Sequence, residues 1–375
     1  MALVLFALAI VGCSTTEPVE EPAPLPDITE TVTLEEAWDC SIGDGMDGQL
    51  LFLQPSVDEQ ALYAVDTWGE LYAKNPQNGE TLWERDLDER ILAGVGRDAQ
   101  QLYVANEDGE VIALSREDGS ERWRAPLPSE VLAPPQSNGR QVVVQTIDGK
   151  VIGFAQSDGE RLWQYDSIVP VLSFRGTGTP YVDSQTALIG LANGRLVALD
   201  VTEGSQLWQY EVGVPEGRTE LERLVDVDAN PVVEDGVVYI AGYQGKLAAL
   251  ELRSGQELWS REGSSLQSPS LGGGEIFLAK ANGTLIGLDA YSHTEAWRVD
   301  ALSWRRLTRP LPVADVVLVG DFEGYLHILS QQDGAFLGRV QVDDEGLRVP
   351  PVRVGNLIYV FGNSGELVAY KVPRE

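Results

Sequence analysis

Basic residues, histidines and cysteines are all scarce in this 375-residue chain, and each shortage removes a class of function. Against 58 Asp and Glu stand 27 Lys and Arg, a formal charge of −31 that repels nucleic acid and gains nothing from an anionic membrane surface. A salt-rich habitat would favour the same acidity, and composition leaves both origins open. The two histidines, His293 and His327, are too few to build a metal site. Asp226-Val227-Asp228-Ala229-Asn230 starts as a calcium loop does, but has Pro231 where that loop needs glycine and Val237 at its twelfth position. Gly272-Gly273-Gly274 lacks the Lys-Ser/Thr that completes a phosphate loop and reads as a hairpin turn. No serine or cysteine stands in a recognisable nucleophile setting. The residues therefore predict no catalytic group, no metal and no cofactor.

A membrane-spanning run is missing as well. Residues 2–12 form an apolar stretch of about 11 residues, too short to cross a bilayer but suited to the core of a secretion signal. The stretch ends in Ile10-Val11-Gly12-Cys13, which resembles the lipobox of bacterial lipoproteins, whose cysteine is acylated and heads the mature chain. Residues 1–12 are thus expected to be a signal peptide and Cys13 the lipidation site. Ser14 matches the pattern such lipoproteins carry when they are sorted to the outer membrane. Residues 13–37 are expected to form the lipidated cysteine and a flexible tether, since Pro18, Pro22, Pro24 and Pro26 lie among glutamates with no Lys or Arg. With Cys13 acylated, Cys40 has no disulfide partner and reads as a free buried thiol.

Beyond residue 37 the sequence repeats itself. A turn glycine recurs at Gly69, Gly109, Gly149, Gly194, Gly245, Gly283, Gly324 and Gly365. In the first six units a tryptophan follows 14 residues later, at Trp83, Trp123, Trp163, Trp208, Trp259 and Trp297. Four residues before each tryptophan is another glycine, Gly79, Gly119, Gly159, Gly204 or Gly255, with His293 as the exception. The seventh unit keeps Gly334 but has Gly338 in the tryptophan position.

Each unit reads as four short strands. In the fifth, Pro231-Val232-Val233, Val237 to Ala241, Lys246 to Leu250 and Glu257-Leu258-Trp259 are separated by Asp235-Gly236, Gln244-Gly245 and Ser254-Gly255 turns. Four antiparallel strands at a period near 40 residues mark a propeller blade, because one such sheet cannot bury both faces alone. The eighth unit runs out of chain before its tryptophan, while Glu35-Glu36-Ala37-Trp38 matches Glu257-Leu258-Trp259 with no unit ahead of it. The expected fold is an all-β, eight-bladed propeller over residues 38–375, its ring closed by pairing the N-terminal strand around Trp38 with the C-terminal blade. The tryptophans, Trp38 included, read as structural rings that dock each blade on its neighbour.

The unit from Tyr103 to Trp123 resembles the repeat named after pyrroloquinoline quinone (PQQ) enzymes, a repeat specific for the fold rather than the cofactor. Quinone dehydrogenases of this type carry an adjacent cysteine pair and a calcium site, and this chain has no adjacent cysteines. Together the lipoprotein signal, the acidic tether and eight such blades resemble the BamB family of outer-membrane assembly lipoproteins. Leu172-Ser173-Phe174-Arg175-Gly176, Arg223 to Asp228 and Gly320 to His327 carry that resemblance most specifically. It implies a non-enzymatic scaffold facing the periplasm from the outer membrane, which binds the POTRA domains of BamA within the β-barrel assembly machinery and helps unfolded barrel proteins reach it.

Spacing shows where the repeat is broken. From tryptophan position to next turn glycine the ordinary gap is 24 to 27 residues, but it is 31 from Trp163 to Gly194 and 37 from Trp208 to Gly245. Long loops on a rigid scaffold are where binding residues tend to lie. The resemblance implies that these two loops contact BamA through Leu172, Phe174 and Arg175 in the first and Asp226 and Asp228 in the second, with Phe174 replacing an aliphatic residue of the family pattern. An exposed apolar pair beside an arginine suits a hot spot, and the aspartates either orient it or meet cations of the partner. The alternative is that Leu172 and Phe174 are core and the aspartates cap turns. Arg298, Arg305, Arg306 and Arg309 form the one dense basic cluster, read as a solvated strand edge. Two other function classes stay open at this point: a PQQ-dependent dehydrogenase or its degenerate descendant, and a surface-ligand or glycan binder.

Overall fold

Valine, isoleucine, leucine and tyrosine alternate with turn-forming Asp-Gly and Asn-Gly pairs, and the chain folds accordingly into β-strands. The structure, a computed structural model, describes residues 20–373. Among these, 32 strands form eight four-stranded sheets, each antiparallel throughout. Blades 1 to 7 span residues 56–86, 91–126, 136–166, 181–211, 232–262, 270–299 and 311–341. Blade 8 takes three strands from residues 352–371 and its outermost strand, Glu36–Ser41, from the other end of the chain. Trp38 pairs with Ala369 and Ser41 with Glu366, so the predicted closure of the ring is made by backbone hydrogen bonds.

The repeat acts at blade contacts. On the outer strands Trp83, Trp123, Trp208 and Trp259 stand opposite alanines, and Trp163 and Trp297 opposite Gly153 and Gly287, so each large ring lies over a small partner. The indole then reaches the next blade, where its N–H donates to a hairpin carbonyl: Trp38 to Pro76 (3.0 Å), Trp123 to Gln156 (2.8 Å), Trp163 to Val201 (2.8 Å) and Trp208 to Leu252 (3.0 Å). Beneath each ring lies the second repeat glycine. Gly204, with φ +69°, has no room for a side chain, because a Cβ there would sit 2.5 Å from Trp163 Cε3. His293, the exception in this series, stacks its imidazole on Trp259 with ring centres 4.4 Å apart.

Blade 7 inverts the pattern, since the glycine is Gly338 and its cross-strand partner is Ile328. The space left on the outer side is filled by the chain's own N-terminal segment. Thr31 and Val32 donate backbone N–H bonds to the Leu337 carbonyl (2.7 and 3.0 Å), and a Cβ on Gly338 would collide with the carbonyl oxygen of Val32. Further back, Ala23 N–H donates to Ser303 O at 2.9 Å, Arg305 Nη1 to Ala23 O at 3.0 Å and Arg339 Nη2 to Pro26 O at 3.3 Å. Leu34 is buried, and Leu25 and Val32 pack on apolar clusters of blades 6, 7 and 8. The expected tether over residues 13–37 is therefore corrected: from Ala23 onward the segment lies against the propeller, and Glu36 opens a strand. Its prolines hold it extended, the shape that fits along an edge strand, and three aliphatic side chains anchor it. Residues 1–12, with the expected signal, and Cys13 lie outside the described residues. Cys40 is a free thiol, half-buried rather than buried, on the closing strand.

Candidate functional site

The two long loops both run from the outer strand of one blade to the inner strand of the next. One joins Arg161–Asp166 to Tyr181–Val182 and the other joins Gln206–Glu211 to Val232–Glu234, so both leave the same face of the ring. Neighbouring connections without repeat-imposed partners have to satisfy their backbone groups on one another. Phe174 N–H donates to Asp226 Oδ2 at 3.2 Å, and Thr179 N–H to Asn230 Oδ1 at 2.7 Å. A Cβ on Gly178 would lie 2.9 Å from the carbonyl oxygens of Asp228 and Ala229, so the loops approach backbone to backbone there. Asn230 N–H donates in turn to Ser268 Oγ at 2.7 Å, linking the pair to the connection into blade 6. The loops form one surface.

Its side chains divide by burial. Val171 is 96% exposed, Ile168 83% and Leu172 41%, an apolar ridge that no described residue covers. Arg175 is exposed beside it and pairs with Glu130, on the connection into blade 3, at 2.6 Å. An exposed pair of this kind contributes ~0–1 kcal/mol, so it holds Arg175 loosely and leaves the guanidinium available. Phe174 turns inward and meets Tyr243 edge-on at 4.8 Å.

Asp226 is 1% exposed and cannot offer its carboxylate to a partner's surface. Besides Phe174 N–H it accepts Val227 N–H at 2.9 Å, and its own backbone bridges to Tyr243. Burial, and then the charge of Asp228, push its pKa up. Asp228 is likewise raised by burial. Two neighbouring carboxyls that both favour the neutral form share a proton. Of the two roles weighed from sequence, orienting the loop fits Asp226, and Asp228 faces Gly176 and the ring axis.

The arginine cluster is dispersed. Arg298 pairs with Glu295 at 2.8 Å, Arg306 is exposed, Arg305 is buried against Asp321 at 2.7 Å, and Arg309 opens toward the axis. His327 belongs to the Arg305 network: its Nε2 lies 2.9 Å from Asp321 Oδ2, and its Nδ1 accepts Arg339 Nε–H at 3.2 Å. That assigns the N–H to Nε2, and burial lowers the pKa of the ring.

Sequence reasoning missed one flank of this face. Leu50 is among the most exposed apolar residues and Phe52 is partly exposed, both on the connection into blade 1. The signal was present: the gap from Trp38 to Gly69 is 31 residues, the same excess that marks the first long loop.

A sequence model of the family described as "Outer membrane protein assembly factor BamB" matches residues 67–299. The chain is 59% identical to the outer membrane protein assembly factor BamB of Marinobacter adhaerens over 99% of its own length and 95% of the relative's. To the protein of that name from Pseudomonas aeruginosa it is 49% identical, over 99% and 98% of the two chains. Among solved structures, BamB from Moraxella catarrhalis superposes with a TM-score of 0.83 at 27% identity, covering 90% of this chain and 100% of that one. A quinohemoprotein alcohol dehydrogenase from Pseudomonas putida shares the propeller architecture alone, with a TM-score of 0.69 at 14% identity over 91% and 78% of the chains. Full-length identity on this scale, joined to the same ring of eight blades, leaves one assignment: the chain belongs to the BamB family of outer membrane protein assembly factors.

Proposed function

We propose that this chain is an accessory, non-enzymatic subunit of the β-barrel assembly machinery that works by binding. It is held at the outer membrane through acylated Cys13 and faces the periplasm. The loops at 167–180 and 218–230 dock a POTRA domain of BamA, with Leu172 and Arg175 in the contact and Phe174, Asp226 and Asp228 shaping it from behind. The observation that carries this reading is the uncovered ridge Ile168–Val171–Leu172 beside Arg175, on loops cross-braced by Asp226 and Asn230. A rigid apolar ridge with an adjacent cation is what an interface core with a polar rim requires. Contact with unfolded barrel proteins is supported by the outer strands, where Leu82, Leu162, Leu207 and Leu258 precede the blade tryptophans and are each about half exposed. Such edges can accept extended chains by strand addition, and on blade 7 the Leu337 carbonyl already accepts the N–H groups of Thr31 and Val32.

The test is capture of BamA POTRA domains by Arg175→Glu and Leu172→Asp variants, with circular dichroism as the check on folding. At least a tenfold loss of capture is expected from each, and undiminished capture by folded Arg175→Glu removes the site assignment. The dehydrogenase reading fits the donor set poorly: among the described residues no cluster of three or more His, Cys, Asp or Glu is placed to hold calcium. Dye reduction with simple alcohols after addition of PQQ and calcium would reverse that choice.

A further inference from the structure

The connections that lead into the innermost strands converge at the ring axis. Leu50, Phe52, Leu132, Phe174, Leu266 and Pro350, drawn from five different connections, line one open cavity of about 380 Å³. Three charged side chains also face it, Arg175 ahead of blade 4, Asp228 ahead of blade 5 and Arg309 ahead of blade 7. Space of this size, with mostly apolar walls and a few polar groups, is typical of small-molecule sites.

Arg309 is the anomaly. Its Nε–H donates to Ser270 Oγ at 2.8 Å, and no other hydrogen bond and no carboxylate among the described residues engages its guanidinium. Burial pulls its pKa down to about 10 with no neighbouring charge acting on it. Arg305, four residues earlier, shows the usual solution, with Asp321 at 2.7 Å and Glu323 beside it. Arg309 itself is half-buried at the cavity wall, and a cation that has given up part of its water is stabilised by a counter-charge. Asp228 does not supply the counter-charge, since it is raised by burial, is engaged with Asp226 and makes no ion pair. Among the described residues the rest of the guanidinium is therefore left open to a ligand entering the cavity.

The geometry points to an axial binding site for an apolar carboxylate of one or two amino-acid residues' bulk, its carboxylate on Arg309 and its body against Leu50, Phe52 and Phe174. A polyanion such as a nucleotide fits poorly, since it brings several charges to a largely apolar wall where Arg309 is unpaired, Arg175 is already shared with Glu130, and Asp228 adds a carboxyl. The chain's net charge of −31 repels anions at long range, so the site works by contact rather than steering. The same chemistry has two sources, a free small acid or the C-terminus of a polypeptide.

The experiment is isothermal titration of the full chain, kept unlipidated by Cys13→Ser, with N-acetyl-phenylalanine and acetyl-Ala-Ala-Phe, each as free acid and as amide. The acids are expected to bind at least tenfold tighter than their amides. Arg309→Met is expected to reduce the acids to the level of the amides and to leave the amides unchanged, and Arg309→Lys to keep part of the preference. Equal binding of the two acids assigns the site to free acids, and binding of the peptide acid alone assigns it to chain termini. The proposal is overturned if acid and amide bind wild type equally, if inorganic phosphate binds as tightly as the acids, or if folded Arg309→Met keeps acid binding. Should Arg309→Met fail to fold, the acid-to-amide ratio in wild type and Arg309→Lys decides. Arg175 and Phe174 line this cavity as well, whereas Leu172 does not, so BamA capture by Leu172→Asp and the acid-to-amide ratio tell failure of the two readings apart.

Discussion

Replacing Gly204 by alanine puts one methyl group under the Trp163 indole, and the structure lets the cost be divided. The first part is backbone: Gly204 sits at φ +69°, and an L-residue in that region costs ~1–2 kcal/mol. The second part is steric, because the new Cβ would lie 2.5 Å from Trp163 Cε3 and the ring has Gly153 packed on its other side. To clear the methyl group the indole must move, straining its 2.8 Å bond to Val201 O and overpacking the blade contact, which adds about 1–3 kcal/mol. Gly48 supplies the control, since its φ is +66° and nothing lies within 4 Å of its Cβ position, so Gly48→Ala carries the backbone part alone. Urea unfolding followed by far-ultraviolet circular dichroism should therefore rank Gly204→Ala at about 2–5 kcal/mol and Gly48→Ala at about 1–2 kcal/mol. Trp163→Ala should itself cost about 3–5 kcal/mol. Adding Gly204→Ala to Trp163→Ala should cost no more than Gly48→Ala does, because the clashing ring has gone. If Gly204→Ala costs the same with and without Trp163, the glycine is required by the turn and not by the docked ring, and this account of the repeat fails.

Three further outcomes test other parts of the structure. Gly338→Val should detach residues 23–34 from blade 7, seen as rapid hydrogen exchange and proteolysis there while the blades stay protected, because its side chain takes the place of the Val32 carbonyl; unchanged protection would show that the arginine contacts alone hold the segment. Trp38→Ala should cost about 3–5 kcal/mol, as much as Trp123→Ala, since the strand that carries Trp38 is a full blade member whose indole bonds Pro76 O at 3.0 Å; a cost below about 1 kcal/mol would mark it as a frayed end. Asp226 is raised from 3.8 to about 8 and Asp228 to about 6, so the folded pair favours protons: its contribution is complete below about pH 4 and is lost as pH rises through about 6 to 8. Asp228→Asn should accordingly raise the melting temperature relative to wild type more at pH 8 than at pH 5, and an equal effect at both would refute the shared proton.

What was legible in the sequence is what every blade needs. Trp83, Trp123, Trp163 and Trp208 each find the same surroundings, a small residue across the strand and a glycine on the next blade, so spacing alone pairs residues that are far apart in space and implies the ring. Departures from the rule were visible without being interpretable. Gly338 stood out as a missing tryptophan, yet nothing in the sequence tells that residues 31 and 32 fill its place, because the contact joins segments about 300 residues apart without a repeating partner. Residues 14–37 read as a tether for the same reason: prolines and glutamates predict an extended chain, and an extended chain lies on an edge strand as readily as it hangs free.

The candidate site obeys the same division. Loop length located it, since a rigid ring expels any surplus residues at its faces, and counting the gap from Trp38 to Gly69 would have added Leu50 and Phe52. Side-chain direction was beyond reach. Asp226 and Arg175 look equally suited to an interface in sequence, but Asp226 is drawn inward by the unpaired N–H groups of Phe174 and Val227, while Arg175 reaches outward to Glu130. Arg305 and Arg309 likewise differ by four positions and by everything else, one neutralised by Asp321 inside blade 7 and the other open to the axis. In a strand the pleat decides which way a side chain points. In these loops the decision falls to whichever backbone group on a neighbouring connection lacks a partner, and that depends on three connections folding together. The residues that break the repeat are the ones proposed to carry the function, and they are also the ones whose roles had to be read from contacts.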